Sequence, residues 1–105
     1  MTDREAYVMG FVYGKLESAL GRNYDPAGVK FSNASMRPIS GLATIHRTVM
    51  AENKMSEKLS IEIAAALDEI GRDVADGSPQ ETVIPLELQG KWQLGYYKGK
   101  DGGSS

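Results

Sequence analysis

Cysteine is absent from the 105 residues, which removes disulfides, thiolate metal sites and thiol nucleophiles together. The absence also points to a reducing, intracellular setting. Histidine is nearly as scarce: His46 stands alone, so zinc sites of the usual His and Cys composition lack their ligands. There is no Gly-rich phosphate loop and no internal repeat. No long apolar run occurs either. The N-terminal "MTDREAYVMGFVYGKLESAL" is broken by Asp3, Arg4, Glu5, Lys15 and Glu17 and reads as neither a signal peptide nor a membrane span. Charge of one sign barely prevails, with a formal net charge of -2. What is present, 41% hydrophobic residues in a short chain, fits one domain over residues 1–100, with 101–105 expected to be a flexible tail.

The apolar residues follow helical periods. "TDRE" places Thr2 three residues before Glu5, the spacing of a capping box, and opens a helix expected over Asp3 to Leu20. Val8, Val12, Leu16, Ala19 and Leu20 mark its apolar stripe. Ala6, Gly10, Gly14 and Ser18 form a second, nearly bare ridge, suited to the close approach of another helix from this chain or from a partner. "GRNYDPAGVKFSNASM", from Gly21 to Met36, is rich in turn formers and reads as a long ordered loop. Pro38 suits the first turn of a second helix with Ile39, Leu42, Ile45 and Val49 on one face, fading near Asn53. A third helix is expected from Lys54 to Val74, with Met55, Leu59, Ile63, Ala66, Leu67, Ile70 and Val74 as its stripe. After Asp76 to Pro79 and an extended "ETVI", Pro85 opens a fourth, in which Leu88, Trp92 and Tyr96 are four apart. Four amphipathic helices with little strand signal predict an all-α four-helix bundle with a long loop between the first two helices.

Candidate chemistry is thin. His46 lies beside the core positions Ile45 and Val49, a boundary placement rather than that of a general base. The carboxylates Asp68, Glu69, Asp73 and Asp76 match the solvated face of the third helix more closely than a cation site. The sequence therefore predicts no enzyme, no metal and no cofactor. Charge is unevenly spread: Glu62, Asp68, Glu69, Asp73, Asp76 and Glu81 face only Arg72, whereas Arg22, Lys30, Arg37, Arg47, Lys54 and Lys58 outnumber the acids in their part of the chain. Lys91, Lys98 and Lys100 add a basic end. This pattern is either an ordinary mixed surface or a one-sided basic one, which steers a nucleic-acid strand even on an acidic protein.

The closing "IPLELQGKWQLGYYKGK", with Gln89, Gly90, Trp92, Gly95, Tyr96 and Tyr97, resembles the C-terminal end of the large subunit of the type I-C CRISPR surveillance complex, Cascade. "AYVMGFVYGKLESAL", with Gly10 and the Leu16-Glu17 pair, is similar to that region's opening helix. "FSNASMRPISGL" is similar to its middle segment, here Ser32, Ala34, Ser35 and Pro38. The likeness runs from Ala6 to Tyr97. In that family the region is also made as a separate α-helical small subunit that lies along the complex and helps hold the displaced DNA strand. The resemblance implies a non-catalytic assembly protein of the bacterial cytoplasm. It would dock on Cascade protein subunits through Gln89, Trp92, Tyr96 and Tyr97, with Gly10 and Gly14 against a partner. It would contact the displaced strand or the guide RNA backbone through Lys30, Arg37, Arg47, Lys91, Lys98 and Lys100. Self-association along the complex is a further expectation, and a membrane partner is not. Two features depart from the family: Lys98, Gly99 and Lys100 stand where His-Gln-Arg typically follow Gly-Tyr-Tyr, and the Glu62 to Glu81 region is acidic. Both imply an alternative, a phage-borne small-subunit mimic that occupies the site and blocks interference.

Overall fold

A computed structural model describes residues 1–21, 28–71 and 81–104. The elements are α1 (Asp3–Leu20), α2 (Val29–Met36), α3 (Pro38–Ala51), α4 (Glu57–Glu69) and α5 (Leu86–Ser104). The chain is an all-α bundle. It has five helices among the described residues rather than four, because the segment read as a loop contains α2. That helix is hidden in sequence by Ser32, Asn33 and Ser35, residues that compete for backbone hydrogen bonds outside helices. Its helical spacing is nevertheless real: Ala34 and Ser35 are buried, and Phe31 packs on the core one turn earlier. Arg22 and residues 23–27 of that segment lie outside the described residues.

Local signals set most boundaries. The Glu5 amide donates to Thr2 Oγ1 at 3.1 Å and the Thr2 amide to Glu5 Oε1 at 3.0 Å, completing the capping box. Arg37, which precedes Pro38, leaves the helical region with φ -129° and ψ 76°, and this separates α2 from α3. Asn53 adopts a positive φ of 57° just after α3 ends, a conformation Asn tolerates. Ser56 caps α4 by accepting from the Leu59 amide. α4 ends at Glu69 rather than Val74, because Gly71 takes a left-handed φ of 66° that stops the helix. Val74 lies outside the described residues. At the other end of the chain, α5 continues to Ser104, through the segment expected to be a tail.

The first and last helices form the centre. α1 and α5 lie in parallel: Gly10 sits against the level of Trp92, Gly14 against Tyr96, Gly95 against Tyr7 and Gly99 against Phe11. In all four cases an added Cβ would run into a carbonyl oxygen of the opposite helix, namely those of Trp92, Tyr96, Tyr7 and Phe11. The hydrogen each glycine carries instead faces that oxygen, a Cα–H···O contact worth about 0.5–1 kcal/mol. The bare ridge on α1 is thus filled by this chain's own α5. Trp92 is fully buried and stacks on Tyr96, with ring centroids 5.5 Å apart. Tyr13 of α1 and Phe31 of α2 pack on both rings. α3 and α4 complete the core with Leu42, Ile45, Val49, Ile63 and Leu67.

Substituting Gly10 by Ala should lower stability by about 3 kcal/mol or more, since rigid backbone lies in the way. Gly90, where a Cβ meets nothing within 4 Å, is the control: Gly90→Ala should raise stability by about 0.5–1 kcal/mol. Urea denaturation of both variants at low protein concentration checks the pair.

Candidate functional site

Three surfaces bear on function, and the residues proposed from sequence divide unevenly among them. Of the six residues expected to meet a protein partner, Gly10 and Gly14 are covered by α5, and Trp92 and Tyr96 are 0% and 9% exposed. Their partner-binding assignment is corrected. They interlock the chain with itself, because all four lie where α1 and α5 pack against each other. Gln89 is half-buried and its Nε2 donates to the Ile84 carbonyl at 2.8 Å. Tyr97 alone remains open, at 58% exposure. Sequence reading missed Leu86 and Leu94, which are also exposed. The available signal was their spacing from Tyr97 on the face opposite Trp92.

The second surface is basic. From Gly28 to Ala51 there is no Asp or Glu, and both helices of this stretch contribute to a cleft of about 360 Å³. Lys30 and Asn33 of α2 line it with Arg37, Ser40 and Thr44 from the start of α3, over Tyr13 and Ala34. Gly41 lets α3 approach the Cβ of Ala34, bringing the two walls together. Arg47 is exposed further along α3, about 15 Å from Arg37 at 1.5 Å per residue. Cations beside amide and hydroxyl groups are the chemistry of phosphate contact. Half-buried His46 lies on the same helix.

Glu81 reaches the edge of this region from the segment before α5. Its carboxylate accepts from the Ile39 and Ser40 amides, both at 2.9 Å. It thereby caps α3, whose N-cap residue Arg37 supplies no side-chain cap. The Ile84 amide bonds Met36 O at 2.9 Å and fixes the same corner. Glu81 is therefore a structural cap rather than a member of an acidic face.

Two further acids of that region, Glu69 and Glu62, are paired, while Asp68 is exposed. Arg4 grips Glu69 with two nitrogens, Nε at 3.1 Å and Nη2 at 2.9 Å, and this hydrogen-bonded charge pair raises the Arg4 pKa. Lys15 Nζ lies 2.9 Å from Glu62 Oε2. That hydrogen bond, aided by the charges of Lys15 and Lys58, holds the Glu62 carboxyl below its ordinary value of 4.5. Asp73, Asp76 and Arg72 lie outside the described residues. Among the described residues no group of three His, Cys, Asp or Glu is placed to hold a metal ion, and no helix is long and apolar enough to cross a membrane.

The third surface, the C-terminal lysines, is only partly available. Lys98 is exposed and Lys91 half-buried. Lys100 is committed inward, with Nζ 3.1 Å from Glu17 Oε1, the oxygen that also accepts from the Tyr96 hydroxyl. Glu17 is 6% exposed, and its Oε2 is buried with no hydrogen-bond partner among the described residues. The assignment of Lys100 to nucleic acid is corrected accordingly, since a buried carboxylate needs its cation.

No protein-family model matches the chain, and neither does any curated protein or solved structure compared with it.

Two predictions concern these charges. Lys100→Met should destabilise the fold by about 1–3 kcal/mol, less than for a fully buried pair because Lys100 is a third exposed. Adding Glu17→Gln should recover most of that loss in chemical denaturation. The lowered Glu62 pKa contributes stability that is complete above 4.5 and fades as pH falls through the lower folded value. Glu62→Gln should therefore cost about 0.5 kcal/mol at pH 7 and flatten the acid limb of a melting-temperature profile.

Proposed function

We propose that this chain is a non-catalytic, small-subunit-like helical module that docks on the type I-C CRISPR Cascade complex and helps hold target DNA during interference. One observation carries the reading. The residues behind the resemblance lie at opposite ends of the sequence, yet Gly10 and Glu17 of α1 meet Trp92, Gly95 and Tyr96 of α5 in one packing unit. The residues on which the resemblance rests thus depend on one another within this fold. The bundle that this unit organises displays Lys30, Arg37 and Arg47 on a stretch whose own sequence has no acids, with the Glu81 carboxylate bonded at its edge. Local positive potential of that kind holds a strand whatever the net charge. Lys98 extends the basic surface on α5, while Lys100 serves the fold.

A second reading, a phage-encoded mimic that fills the small subunit's place and blocks interference, draws on the C-terminal lysines. With Lys100 bound to Glu17 and Lys91 half-buried, the basic end offers Lys98 as its one exposed lysine among the described residues. Docking would then proceed without the full grip on DNA.

One experiment separates the readings. Type I-C Cascade lacking its own small subunit is mixed with this protein and assayed for association and for target-DNA retention against salt. The expected result is association with restored retention. Alanine at Lys30, Arg37 or Arg47 should then flatten the salt slope by about 0.7–0.9 for each phosphate no longer neutralised. Association without retention favours the mimic, and no association overturns both.

A further inference from the structure

Over residues 86–97, the side of α5 turned away from α1 is apolar. Leu86 is 83% exposed, Leu94 59% and Tyr97 58%. At 3.6 residues per turn these three and Gly90 fall within an arc of about 80°. Isolated exposed hydrophobics are ordinary, but a stripe of them along three turns of one helix is a contact surface. Gly90 sits in mid-stripe with nothing near its missing Cβ, so another helix has room to approach there.

The charges beside the stripe identify what approaches. Glu87 and Lys98 lie on the same flank, about 20° apart around the helix. Both are exposed, and neither is ion-paired among the described residues. They are opposite in sign and nearly equidistant from the level of residue 92. The other flank is neutral or occupied, with half-buried Gln89 and Gln93, and Lys100 held by Glu17. Half-buried Lys91 lies further round, toward the body of the protein.

We propose that this face is a homodimer interface, on which a second copy of the chain packs its α5 antiparallel about a two-fold axis near residue 92. In that arrangement each flank meets the same flank of the other copy, so Glu87 of one faces Lys98 of the other, twice. Leu94 of each copy covers Gly90 of its neighbour, and Leu86 meets Tyr97. A parallel pairing would set the charged flank against the glutamines and satisfy neither charge. The surface is thus complementary to itself, the requirement of an isologous contact. This interface does not depend on Cascade, so it stands or falls separately from the proposed function.

Analytical ultracentrifugation of the full chain tests it, with circular dichroism to show that each variant is folded. The wild type should show a concentration-dependent monomer–dimer equilibrium. Glu87→Lys and Lys98→Glu should each weaken dimerisation about tenfold, because a paired charge becomes a like-charge contact at two places. The double variant should return to within about threefold of the wild type, the signature of a direct pair. Leu94→Glu should abolish the dimer. A chain that stays monomeric to about 1 mM overturns the proposal, as does a dimer whose strength is indifferent to the two charge reversals.

Discussion

The contact on which the rest of this structure depends is the backbone seam between α1 and α5. Four glycines, two from each helix, sit against carbonyl oxygens of the opposite helix. Each glycine in a helix interior costs about 1 kcal/mol relative to alanine, and the seam offsets that by letting two helices share a core that side chains would otherwise hold apart. The consequence spreads outward. With the backbones touching, Trp92 and Tyr96 have nowhere to lie except beside the seam, where Tyr13 and Phe31 close over them. Phe31 brings α2 with it, and α2 sets one wall of the basic cleft.

Charge in this protein is divided between holding the bundle together and facing solvent. Glu17 is buried under α5 and engages Tyr96 and Lys100, and Glu81 spans from the last linker to cap α3. Arg4 with Glu69 and Lys15 with Glu62 tie α1 to α4. The charges left to solvent include a basic stretch over α2 and α3, a mixed edge on α5, and exposed Glu57 and Asp68 on α4. A net charge near zero thus conceals a surface with distinct sides. Counting residues along the chain mistakes Glu81 for repulsive surface when it is a helix cap.

The sequence made the helices legible wherever one local rule dominated. The Thr2–Glu5 box, Pro38 at a first turn, and the period of Leu42, Ile45 and Val49 all correspond to observed features. α2 was not legible, because its polar residues carry the same signal as a turn and only tertiary burial of Phe31 and Ala34 distinguishes the two. The role of Gly10 and Gly14 was half legible. Their four-residue spacing announces close approach, and the same spacing at Gly95 and Gly99 names the partner helix once the two are compared. Trp92 and Tyr96 could be assigned to core or to a partner by spacing alone, and the seam decides for core. Glu81 and Lys100 act across more than forty residues, a distance no local pattern records.

A bundle locked at α1–α5, with the basic face proposed for DNA on α2 and α3, has a distinct exchange signature. The most direct measurement is amide hydrogen exchange of this protein alone and bound to type I-C Cascade carrying target DNA. In the free protein, the seam amides of α1 and α5 should be the slowest and should open together, near the global unfolding limit. On the complex, added protection should fall on α2 and the first turns of α3, with the seam unchanged. Early, independent exchange of α5 in the free protein would contradict the account, as would a bound state in which α2 and α3 exchange as they do in solution.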